Sequence, residues 1–244
     1  MLFAIAESPR VPRAGRSSFL APLRNVGRVF GAPEALFQSI SRQPDWVTPF
    51  LVVSIISLLL SLAAEPYATR AALQAIPESM PPEQIDLMRR QIAFGQKLGA
   101  ILTPLLLLLK GLCGALTLTL LMLAWTGHGN FRRAFSVINY LGVPLTLAGV
   151  GNLLVLRLRG LERIGGLGDL QARFGLNLLL PAEHPAIDSL LGLINPFDLW
   201  MLILLAIAVR RIVPCPRGTA IRVAVSYWLL GAALQVAAAF LQRA

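Results

Sequence analysis

Residues Leu98–Trp125 read LGAILTPLLLLLKGLCGALTLTLLMLAW, 28 positions with a single charge, Lys110. About 20 apolar residues in a helix cross the ~30 Å hydrocarbon layer of a bilayer, so this stretch predicts a membrane span. Backbone amides in lipid must be satisfied within their own segment, which makes the span a helix rather than a strand. The pattern recurs outward along the chain. Val47–Ala64 holds 18 uncharged residues, Ala134–Leu156 holds 23, and Val223–Leu241 holds 19. Leu199–Val209 is strictly apolar for only 11 residues and reaches span length only when extended back through Pro196 towards Ile187. The expected fold is an all-α integral membrane protein, a bundle of five transmembrane helices over about 47–64, 98–125, 134–156, 190–212 and 219–241.

Composition agrees. Of 244 residues, 56% are hydrophobic and 14% charged, against roughly 45–50% and 25% in soluble domains. Such a chain is neither disordered nor collagenous, and Cys113 and Cys215 alone provide no disulfide framework. The formal net charge is +10, yet the basic residues are scattered between apolar blocks without an aromatic-rich basic patch. Anionic lipid headgroups on the cytoplasmic side therefore suit that charge, and nucleic acid does not. Lys97 and Lys110 are the only lysines among 22 basic residues. This arginine bias, with abundant Ala, Leu and Gly, suggests a GC-rich bacterial genome and an inner-membrane location.

The first residues do not read as a secretory signal, because the Arg-rich stretch follows the apolar patch Met1–Ala6 instead of preceding one. Residues 1–28 are expected to be a basic, flexible tail, and 29–244 one membrane domain. Within Val29–Arg42, Pro33 suits a first helical turn, Glu34 favours its positive end and Pro44 stops it. Val29, Phe30, Phe37 and Ile40 form an apolar side opposite Arg28 and Arg42, which predicts a short interfacial helix before the first span. With the N-terminus inside, twelve basic residues fall on the cytoplasmic side and nine outside, Lys110 lying within a span. That bias favours N-in, C-out. The longer outer loops are Glu65–Lys97 and Arg157–Pro196. In the first, Pro81-Pro82-Glu83 starts a helix that lies on the surface or runs into the second span. The second contains Gly165-Gly166-Leu167-Gly168, which lacks the Lys-Ser/Thr and preceding strand of a phosphate loop and reads as flexible.

Four polar residues in apolar surroundings are the candidate functional groups: Lys110, Asn139, Asn152 and Asp198. A charge near mid-bilayer costs ~3 kcal/mol on insertion scales, so Lys110 needs a partner or water. It reads as a proton or anion site, or as a snorkelling or ion-paired structural residue. Asp198 is a candidate partner of matching depth. Locally, though, Asn195-Pro196-Phe197-Asp198 reads as N-cap, proline at the first helical position and an acid in the first turn, and this is the favoured reading. Asn139 and Asn152 flank Gly142, Pro144, Gly149 and Gly151, a set that suits close helix packing or a broken helix at a substrate. His128 and His184 lie in separate loops, without the spacing of a metal site. No catalytic, cofactor or metal residues are expected.

Three stretches resemble bacterial members of the Yip (Ypt-interacting protein) domain family: VFGAPEALF at Val29–Phe37 leading to Pro44-Asp45-Trp46, GHGNFRRAFSVINYLGVP at Gly127–Pro144, and NPFDLW at Asn195–Trp200. The resemblance implies five membrane helices and a cytoplasmic N-terminus. Eukaryotic relatives are associated with small GTPases and vesicle traffic, and some bacterial ones accompany membrane transporters. The fuller Gly-Tyr motif of the eukaryotic proteins is missing, so GTPase binding is not carried over. Two functions follow as expectations. One is a non-enzymatic scaffold or accessory subunit, with a partner such as a transporter subunit. The other is a small transporter or channel, which requires the four polar residues to share a cavity.

Overall fold

A computed structural model describes residues 20–74, 76, 81–172, 174–178, 187, 191–192 and 194–241. Helices α1 (Leu20–Gly31) and α2 (Pro33–Arg42) precede three long ones, α3 (Val47–Gln74), α4 (Pro82–Thr126) and α5 (Phe131–Arg159). Three short 3₁₀ turns follow, then α6 (Pro196–Ile212) and α7 (Arg217–Leu241). No strand occurs among the described residues. Four helices, α3, α4, α5 and α7, are long and apolar enough to cross a membrane, and at most 22% of the most apolar window of each is buried in the protein. Apolar surface on that scale finds its complement in lipid rather than water.

The structure bears on several expectations. Four helices meet the length and composition of a span among the described residues. The expected span at 190–212 starts as a helix only at Pro196, since Asn195 caps it, leaving 17 residues, or about 25 Å. Of the two alternatives for the stretch from Pro82, the structure shows the one that runs into the span: α4 is one 45-residue helix that continues through Pro104 into the apolar run. The expected tail boundary at Val29 falls inside α1, which begins at Leu20; residues 1–19 lie outside the described set. The single interfacial helix is two, broken at Ala32 (φ −150°, ψ 59°), because Pro33 disfavours helical geometry in the residue before it. Most of its apolar side is turned into the protein: Val29, Phe37 and Ile40, with Leu36, are buried in the core with α5 and α6, while Phe30 stays 39% exposed.

The architecture rests on α3 lying parallel to α5. The rings of Trp46 and Phe135 are 5.1 Å apart. A Cβ on Gly142 would stand 3.3 Å from Val53, and one on Gly149 would stand 3.0 Å from Leu60. In all three pairs the second residue is 89 positions after the first, and successive pairs are seven residues apart. Seven residues is the repeat at which two helices stay in contact side by side, and glycine lets their backbones approach.

One end of the bundle is tied by arginines near the helix ends. Arg133 donates to the carbonyl of Ile212 at the end of α6, satisfying one of the acceptors that a helix C-terminus leaves open. Arg222 stands 5.1 Å over the ring of Trp125, and Arg211 of α6 pairs with Glu34 of α2. At the other end, the loop expected to be flexible is held by specific bonds. Asp169 accepts from the N–H groups of Gly165 and Gly166, and Arg70 donates to the carbonyls of Glu162 and Ile164.

Candidate functional site

A cavity of about 420 Å³ opens among α3, α4, α5, α6 and α7. Its polar lining includes Lys110 from α4, Asn139 from α5, Asp198 from α6 and Tyr227 from α7. The depths match. Lys110 lies sixteen residues before the end of α4 and Asp198 fourteen before the end of α6, about 24 and 21 Å above those ends. The helices that present these groups are built around bare backbone. A Cβ on Gly111 would stand 3.3 Å from the Phe135 ring, and one on Gly114 would meet the Tyr227 hydroxyl at 2.8 Å.

Each polar group is differently occupied. Asn139 is 9% exposed, and its amide nitrogen donates to the Phe135 carbonyl at 2.8 Å. Asp198 is half-buried in the first turn of α6, and its Oδ2 accepts from the Asn195 side chain. The same Asn195 accepts from the N–H groups of Phe197 and Asp198 at 3.0 and 2.9 Å. Asp198 therefore sits in the cap predicted from the local motif and faces the cavity as well. Among the described residues no ion pair joins Lys110 to Asp198.

Asn152 lies elsewhere. Its side chain donates to the Leu170 carbonyl and accepts from the Ala172 N–H, pinning the loop after α5 to the helix. Among the described residues no three His, Cys, Asp or Glu side chains gather as a metal site requires. His128 faces the Thr126 carbonyl within its own turn, and His184 lies outside the described residues. The sequence reading missed Tyr227, Ser57, Thr146 and Gln235 in the cavity wall, because it weighed charges and the asparagines of the third span and passed over hydroxyls and the lone glutamine of the last one. Tyr227, a polar-tipped aromatic beside Ser226 in the mostly apolar Val223–Leu234, was the available signal.

The stretches whose pattern is distinctive meet in space: Phe30 packs edge-on to Trp200 at 5.8 Å, Trp46 lies on Phe135, and Asn139 and Asp198 share the cavity. A family model described as Yip1 domain matches residues 27–238. The chain belongs to the Yip1 domain family. The match runs from α1 into α7 and includes every residue of the Yip1-domain cavity. No curated protein and no solved structure matches this Yip1-domain chain.

Proposed function

We propose that this Yip1-domain protein is a non-enzymatic, multi-pass protein of a cell membrane that holds a small polar ligand within its helix bundle. The observation that supports it is the convergence of Lys110, Asn139 and Asp198, from three helices, on one cavity. A scaffold that only packs helices gains nothing from a lysine there, since a charge near mid-bilayer costs ~3 kcal/mol, and the Asp198 carboxylate in the first turn of α6 faces the same cavity. The volume of about 420 Å³ falls among small-molecule sites, which span roughly 300–1,000 Å³. This favours the transporter or channel class over a purely structural subunit. Service beside a larger membrane complex is compatible with it, since α4 exposes Leu105, Leu109, Leu116 and Leu120 along its length.

The topology proposed is five spans, α6 included, with the N-terminus in the cytoplasm and the C-terminus outside. Seventeen residues fall a few ångströms short of the hydrocarbon thickness, a mismatch that thinning and snorkelling accommodate at modest cost. Arg210 and Arg211 close α6 on the side where basic loops belong.

Cysteine accessibility tests the ligand-site reading. In a chain with Cys113 and Cys215 replaced by alanine, Asn139→Cys in native membranes is expected to react with a charged methanethiosulfonate reagent. Leu109→Cys, on the exposed apolar side of α4, is expected to stay unreactive. Equal protection at both positions would remove the water-filled cavity, and the ligand-binding function with it.

A further inference from the structure

The cavity holds two opposite charges that do not neutralise each other. The ion pairs among the described residues are Arg89 with Asp86 and Arg211 with Glu34, both away from the cavity. Lys110 and Asp198 face the same space without meeting. Of the other polar groups in the lining, Ser57, Thr146 and Gln235 are neutral, so the two charges set the polarity of the cavity. On one side stands the Lys110 ammonium, with the Tyr227 hydroxyl as a further donor. On the other side stand the carboxylate oxygen of Asp198 that Asn195 leaves unused and the side-chain oxygen of Asn139, whose amide nitrogen already donates one N–H to the Phe135 carbonyl. Gly111 and Gly114 keep the α4 backbone bare between Lys110 and these groups, so the wall is shaped around them.

We infer that the cavity binds a zwitterion, a group of phosphoethanolamine type with one primary ammonium and one oxyanion. The anion lies on Lys110 and Tyr227, the ammonium on Asp198 and Asn139. A simple anion would leave Asp198 unpaired and repelled, and a simple cation would do the same to Lys110. A ligand with both charges satisfies the two sides while carrying no net charge into the low-dielectric bundle, where an orphaned charge is most costly. A primary ammonium adds N–H donors that carboxylate and amide oxygens accept. Both a lipid headgroup and a soluble molecule offer this chemistry. The inference rests on the ligand-site reading above and adds the ligand's class.

The test uses the purified full-length chain in detergent and follows its thermal unfolding midpoint. Four probes are compared: phosphatidylethanolamine, phosphatidylglycerol and phosphatidylcholine with the same acyl chains, and soluble glycerophosphoethanolamine. Phosphatidylethanolamine is expected to give a saturable rise larger than either other lipid. An equal rise with glycerophosphoethanolamine identifies a soluble ligand, and a rise confined to the lipid identifies a headgroup site. Lys110→Met and Asp198→Asn are each expected to raise the half-saturating concentration about tenfold or more, since each removes one partner of a charge-assisted hydrogen bond to the ligand. The probe series on the unmodified chain stands even where a variant fails to fold. Phosphatidylglycerol matching phosphatidylethanolamine would overturn the zwitterion, as would phosphatidylcholine, whose ammonium has no N–H. Absence of a rise with both ethanolamine probes would overturn it too. If Asn139→Cys is accessible and only these comparisons fail, the ligand site survives and its zwitterion specificity does not.

Discussion

Lys110 and Asp198 share a cavity without forming an ion pair, so without ligand their substitutions act independently. In lipid-free detergent the double-mutant cycle of Lys110→Met and Asp198→Asn is expected to be additive within ~0.5 kcal/mol, the agreement usual for residues that share no partner. A larger coupling energy in thermal unfolding would reveal a direct pair. Asn195 should matter more than Asp198 to the folded state, because it accepts from two backbone N–H groups and also donates to Gly192 and Asp198. Asn195→Ala is expected to cost ~1 kcal/mol, while Asn195→Ser retains most of the cap. The motif Asn195-Pro196-Phe197-Asp198 disclosed this cap because capping is settled within four consecutive residues. That Asp198 also looks at Lys110 depends on which faces of α4 and α6 oppose each other, and no local pattern carries that. Asn152 shows the reverse case: its amide suggested a site in the span, and its real partners, Leu170 and Ala172, come from a loop that folds back on α5.

Among the elements, the pairing of α3 with α5 makes the firmest demand on particular residues. Gly142→Leu or Gly149→Leu puts a side chain where Val53 or Leu60 already packs. Each is expected to destabilise the protein by about 1–3 kcal/mol, the usual cost of overpacking. Gly231→Ala is the control: nothing lies within 4 Å of its added Cβ, so the higher helix propensity of alanine makes it neutral or stabilising by up to ~1 kcal/mol. Thermal unfolding of the three variants in detergent gives the comparison, and equal stability at positions 142 and 231 would contradict the packing. The small residues of the third apolar run were legible as a packing surface, but the partner helix was not. Likewise the apolar side of Val29–Arg42 was legible in Val29, Phe37 and Ile40, although two helices carry it rather than one. Its destination, the flank of α6 rather than lipid, required the tertiary contact sealed by Glu34 and Arg211. An apolar stripe has the same sequence whether protein or lipid covers it.

For the whole molecule, the alternation of helix ends makes topology the decisive measurement. Reporter fusions after Gln74, Thr126, Arg159, Ile212 and Leu241 are expected to report outside, inside, outside, inside and outside in turn. An inside report at Leu241 would mean that α6 does not cross, and it would bring the C-terminus to the side of the N-terminus. The short α6 makes this a real test, since its 17 residues are the part of the five-span expectation that length alone does not support.

The sequence by itself determined that the chain is helical and apolar, where the long helices lie, which polar residues stand out within them, and to which family the chain belongs. These depend on runs, caps and motifs within one segment, because a helix satisfies its own backbone hydrogen bonds and lipid demands an apolar exterior. Only the tertiary structure decided that Lys110, Asn139, Asp198 and Tyr227 meet in one cavity while Asn152 fastens a loop. Which side chains converge is fixed by helix rotation and register, set here by glycine-mediated contact between α3 and α5. Rotating a helix about its axis leaves its hydropathy unchanged and turns a different residue to the centre.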